Sequence, residues 1–202
     1  MGRIYGGLPY ITNGGGNVYR LMDYIDEETG VVDMTEPMEN PTLFGNQCSY
    51  GSYWGWARVI NSAAFNSTPH LVQKNGFLRV GPYTYDDNIM QFTDTFTIVN
   101  QNGPEIMCQS YALLQHGDGV VYFKEDGHVM MIQEDPVVVY AQDGTIDAGQ
   151  SYVYILDQHG AWTEYTNESG DTFLHKNYIN RKFTFNELMA QGYLPFTFGE
   201  FL

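Results

Sequence analysis

Cys48, His128 and the run Asp157-Gln158-His159 are the residues whose types and order could support nucleophilic chemistry. Cys48 stands at the start of a helical period, where unpaired backbone N–H groups and the helix dipole favour a thiolate, the attacking form of cysteine. His128 follows the turn sequence Glu125-Asp126-Gly127 and opens an apolar strand. A sheet would then hold its ring while the turn leaves it open to a neighbour, as a general base requires. Asp157 ends another strand, which a meander would bring beside the first, and a polar group there would orient the imidazole. Each residue also has a plainer use. Cysteine serves as a small buried hydrophobe, a hairpin histidine commonly faces water, and aspartate at a strand end is ordinary turn chemistry. Cys108 lies among apolar neighbours and is expected to be structural.

The elements that must position these residues can be traced along the chain. Val18, Leu21, Met22 and Ile25 fall at i, i+3, i+4 and i+7, so a short amphipathic helix is predicted over 17–28. Residues 33–46, with Pro37 and Pro41, read as an extended loop leading to Gln47. A second helix begins at Cys48, with Tyr50, Tyr53, Trp54 and Ala57 on one face and Trp56 and Ile60 flanking it. Gly51 and Gly55 lie one turn apart on it and suggest the close approach of another backbone. Strands are expected at 78–80 and 96–99, a turn-rich stretch at 81–88 and a short helix at 105–114. From there the pattern becomes a meander, with strands at 120–123, 128–132, 137–140 and 152–156. Thr184 and Glu187 have capping-box spacing ahead of a short helix that Gly192 can close, and 193–201 reads as extended.

Composition sets the frame. The 202 residues are 43% apolar and 15% aromatic, enough for one domain with a sizeable core, and no repeat or linker divides them. Only 16% are charged, while 22 glycines and 16 tyrosines favour short strands and turns, so an α+β fold with prominent strands is expected. The net charge of −15 repels nucleic acid and anionic membranes and tolerates cationic or neutral substrates. No apolar run approaches a membrane span, and no signal-peptide pattern opens this chain. Two cysteines without C-x-x-C spacing form neither a disulfide framework nor a metal site, and neither a metal nor a cofactor is expected. Tyr83, Tyr85 and Trp162 are the aromatics expected to line a substrate groove.

Three runs in order point to a family. Gly45-Asn46-Gln47-Cys48-Ser49-Tyr50-Gly51-Ser52-Tyr53-Trp54-Gly55-Trp56-Ala57 resembles the nucleophile helix of the NlpC/P60 and CHAP peptidases. Leu113 to Phe123, containing Gly117-Asp118-Gly119, is similar to their Gly-Asp signature leading into an apolar strand. Gly127-His128-Val129-Met130-Met131-Ile132 is similar to their Gly-His-Val strand. A fourth run, Tyr154 to Trp162, resembles the CHAP strand ending in Glu-x-Asn, with Asp157 in place of the Glu and His159 in place of the Asn.

The resemblance implies a papain-like fold, a single catalytic domain over 1–202 in which a nucleophile helix packs on a small antiparallel sheet. The long stretch between Cys48 and His128 implies an insertion within 61–103. The implied chemistry has Cys48 as nucleophile, His128 as base, and Asp157, or alternatively His159, as the orienting group. Backbone N–H groups around Cys48, Ser49 among them, and the Gln47 side chain would stabilise the oxyanion. The implied activity is amide hydrolysis in peptidoglycan stem peptides or cross-bridges by a monomeric, extracellular or cell-wall-associated protein. The alternative is an inactive relative that binds glycan or peptide.

Overall fold

Turn chemistry and alternating strands organise most of this computed structural model, which describes residues 4–6, 23–29, 33, 48–57, 59–60, 77–86, 94–166 and 172–201. The elements in chain order are β1 (Ile4–Gly6), α1 (Cys48–Trp56), β2 (Phe77–Arg79), α2 (Thr95–Tyr111), β3 (Gly119–Phe123), β4 (Gly127–Val137), β5 (Tyr152–Thr166), β6 (Thr172–Thr184), α3 (Phe185–Ala190) and β7 (Leu194–Phe198). A 3-10 turn, Gly199–Phe201, follows. The chain is α+β. It divides into two compact units, Met1–Gly51 with Gln158–Tyr178, and Ser52–Asp157 with Ile179–Leu202.

In the first unit β1 pairs in parallel with β6, Ile4 to Gly6 against Phe173 to His175. Of the helix expected over 17–28, residues 23–24 form a 3-10 turn and 27–29 a further turn. Asp26 explains the break, because its Oδ1 accepts from the backbone N–H groups of Glu28 (3.1 Å) and Thr29 (2.8 Å) and so competes with helical bonding. Residues 17–22 lie outside the described residues, as does most of the loop expected at 33–46.

The second unit is built on the antiparallel strands in the order β2-β7-β3-β4-β5-β6, to which β5 contributes Tyr152–Asp157 and β6 Ile179–Thr184. Its centre is the β3–β4 hairpin, in which Gly119 opposes Met131, Val120 opposes Met130 and Tyr122 opposes His128. Because side chains alternate across a sheet, this register sorts them into two faces. Val120, Met130, Ile132 and Ile155 lie on one face, and each is under 2% exposed. Tyr111 of α2 and Phe185 and Leu188 of α3 are equally buried. Tyr111 donates its hydroxyl to the Tyr193 carbonyl at 2.6 Å and packs 5.5 Å from the Phe185 ring.

The other face carries Gly119, Met131 and Phe196, and α1 packs there. Trp56 meets the rings of Phe196 and Phe198 at 5.6 and 5.0 Å, and its indole N–H donates to the Gly117 carbonyl at 2.6 Å. Among the described residues of this segment Cys48, Ser52, Trp56 and Ile60 are buried, one every fourth position, whereas Tyr53 and Ala57 of the expected face are only half-buried. Side chains rather than another backbone fill the space at the two glycines. A Cβ on Gly55 would fall 2.5 Å from Met131 Cε, and one on Gly51 would collide with the Gln158 side chain.

The expected strand at 96–99 and helix at 105–114 are one broken helix, α2. Asp94 caps it by accepting from the Phe96 N–H at 2.8 Å, and Gly103 (φ 76, ψ 166) breaks it just before Pro104. Ile98 and Val99 in one half, and Met107, Cys108 and Tyr111 in the other, face the interior. The capping box at the head of α3 forms, with Thr184 N–H donating to Glu187 Oε2 at 2.7 Å and Glu187 N–H to Thr184 Oγ1 at 3.2 Å. The tail expected as extended is β7 followed by the 3-10 turn.

Gly81 fixes the exit from β2. Its φ of 88° is a left-handed conformation, and a Cβ there would collide with the Ser110 backbone. Gly81→Ala is therefore expected to lower unfolding free energy by about 2–4 kcal/mol, from backbone strain plus overpacking, measured as a fall in the urea midpoint.

Candidate active site

The site is anchored by two residues that alternation brings to one face. Ser151, Val153, Ile155 and Asp157 of the segment entering β5 are all buried, with the residues between them half-exposed. Met131 opposes Leu156. Continuing that register by one residue sets Asp157 opposite Met130 and diagonal to His128, a spacing that polar side chains can span.

His128 Nε2 lies 2.5 Å from Asp157 Oδ1, although the two residues are 29 apart in sequence. Arg181 of β6 donates from a guanidinium nitrogen to the other oxygen, Oδ2, at 2.7 Å. The Asp157 side chain is 1% exposed, that of His128 10% and that of Arg181 39%. A carboxylate held by a guanidinium is suited to accept, which favours the tautomer with the hydrogen on His128 Nε2; in that tautomer the basic nitrogen is Nδ1. This arrangement can take up and return a proton at Nδ1 while Asp157 fixes the tautomer.

The Gly-Asp motif has a structural task. Asp118 is buried, and its Oδ2 accepts from the Gln115 N–H at 2.7 Å. Burial pushes its carboxyl above the ordinary range, opposed by hydrogen bonds from Thr197 and Gln115. Its backbone carbonyl accepts from Ile132 N–H at 2.9 Å, and Gly117 N–H donates to Ile132 carbonyl at the same distance. These bonds tie the start of β3 to β4, the strand that carries His128.

The remaining expected site residues are dispersed. Cys48 opens α1 and is 4% exposed. Gln47 lies outside the described residues, as do the side chains of Ser49, His159 and Trp162. Tyr83, expected in a groove, is 3% exposed, with its hydroxyl donating to the Pro195 carbonyl at 2.8 Å. It is a core residue because the bend after β2 turns it inward against Ser110, whose Oγ accepts from its N–H at 3.4 Å. Tyr85 is half-buried, stacks 6.1 Å from Tyr83 and lies under the Arg79 guanidinium at 4.9 Å.

No family model, curated protein or solved structure matches the chain. The site is interpretable through its own chemistry.

Arg181 is the residue that sequence patterning missed. Nothing local marks it, since its partner lies on the neighbouring strand. Its alternation with Phe183, whose ring is 4.7 Å from the guanidinium, was the available signal for an inward-facing cation. Cys108 is buried, and burial pushes its thiol up, so it stays protonated near neutrality. Among the described residues no group of His, Cys, Asp and Glu could hold a metal ion, and no helix is long and apolar enough to cross a membrane.

Proposed function

We propose that the chain is a papain-like thiol hydrolase acting outside the cell on amide bonds of peptidoglycan stem peptides or cross-bridges. Cys48 is its nucleophile and the His128–Asp157 pair its base. The observation that carries this reading is that pair, buried and 2.5 Å apart, which joins a base candidate to its orienting group. In the proposed cycle His128 Nδ1 takes the Cys48 thiol proton, and the sulfur attacks the carbonyl carbon. The C–N bond then breaks as the imidazolium protonates the leaving amine. Water, deprotonated by the same nitrogen, cleaves the thioester, and the proton returns to sulfur as the acid leaves. The negative charge of the chain suits neutral or cationic peptide segments.

Alkylation by iodoacetamide near pH 7, followed peptide by peptide in a mass spectrometer, tests the reading. Cys48 is expected to react about tenfold faster than Cys108, and His128→Ala should bring the two rates together. Equal rates in the native chain would remove the thiolate from the proposal.

A second reading, an inactive relative that binds glycan or peptide, has observations of its own. Gly55 and Trp56 lie against the face that carries Met131 and Phe196, whereas His128 and Asp157 belong to the opposite one. A recess of about 330 Å³ also opens beside Tyr122, the residue paired across from His128, between Lys124, Asp126 and Gln191. Retention of peptidoglycan fragments without any product detected by mass spectrometry would select this second reading.

A further inference from the structure

We infer that Arg181 is a positioning residue for the general base, acting through Asp157 to hold His128 in the Nε2–H tautomer. The inference rests on the reading of His128 as the base. It begins from the burial of Asp157. A carboxylate that is 1% exposed keeps its charge only if that charge is met, and both His128, on Oδ1, and Arg181, on Oδ2, reach it. Without the guanidinium, the carboxyl group has an alternative. It can bind a further proton from solvent and donate it to Nε2, so that the ring's single hydrogen sits on Nδ1 and the lone pair the reaction needs is removed.

Arg181 is preorganised for this task. It lies on a strand that runs directly into α3 through the Thr184–Glu187 capping box, so its backbone is fixed three residues downstream. The Phe183 ring supports its guanidinium at 4.7 Å. Glu187, an acidic residue close enough to feel the Arg181 charge, is committed to the backbone N–H and hydroxyl of Thr184, each at 2.7 Å.

Nitrogen-detected NMR of the His128 ring in the full ¹⁵N-labelled chain tests the inference without substrate or thiol. The native chain is expected to give the Nε2–H tautomer near neutral pH. Arg181→Gln and Arg181→Met should give a mixture in which Nδ1–H grows, and Arg181→Lys should restore the native pattern. In the hydrolysis assay the glutamine variant should lose about tenfold in kcat at unchanged KM, the size typical of a group one bond removed from the reacting residue. A native spectrum showing Nδ1–H overturns the inference even if the neutral variants fail to fold, and so does a glutamine variant with the native tautomer. If the tautomer shifts as expected while Cys48 proves unreactive, the positioning role stands and the hydrolase reading alone falls.

Discussion

The Cys48→Ala chain is expected to keep its fold and to lose amide hydrolysis by about 10⁶-fold, the scale on which removing a covalent nucleophile acts in a triad enzyme. The two effects separate because the residue is small. Cys48 is 4% exposed, and taking one sulfur from the interior costs about 1 kcal/mol, against a total stability of about 5–15 kcal/mol for a domain. The chemistry has no such reserve, since the bond formed in the first step is to that sulfur. Release of peptides from peptidoglycan fragments, read by mass spectrometry beside a thermal melt, measures both. An undiminished rate in a folded Cys48→Ala chain would sink the thiol mechanism. Cys108→Ala serves as the control, and its rate should match the native one because its thiol stays protonated by burial.

What the chain discloses in advance depends on how local each signal is. The β3–β4 hairpin and the Thr184–Glu187 capping box are legible because turn residues, alternation and cap spacing all act within a few residues. The broken helix α2 is not. Thr95-Phe96-Thr97-Ile98-Val99 is β-branched and apolar, and Gly103-Pro104 reads as an end, yet the Asp94 cap and burial of both halves override propensity. On α1, Tyr53 and Ala57 of the expected face are only half-buried for a similar reason. Tyr50, Tyr53 and Trp54 dominate the periodicity by size, but the register of β3 and β7 places Phe196 and Phe198 where Trp56 can meet them. Asp157 was recognisable as a partner of the histidine, although β5 runs past it to Thr166 instead of ending there. Arg181 was not, because its meaning lies in a contact across two strands.

Asp157→Asn should separate the stability of the site from its chemistry most sharply. Asparagine fits the same space but offers one acceptor oxygen and one donor nitrogen where the carboxylate accepts on both sides. Arg181 donates to Oδ2, so the favourable orientation gives the amide oxygen to the guanidinium and turns the NH₂ towards His128 Nε2. Nε2 must then be the acceptor, which moves the ring hydrogen to Nδ1 and removes the basic lone pair. Loss of tautomer control with geometry intact lowers kcat by about 10⁴-fold in a triad hydrolase, and a loss of that size is expected here. The cost in stability should be much smaller, about 1–2 kcal/mol. Both partners still find hydrogen bonds, and the charge left behind is on Arg181, whose side chain is 39% exposed and screened by water. Urea unfolding and hydrolysis on the same samples check the pair of values. If hydrolysis falls only in proportion to the folded fraction, Asp157 is a structural partner of Arg181 and His128 needs no orienting group. If the rate collapses in a folded chain, the aspartate acts on the proton.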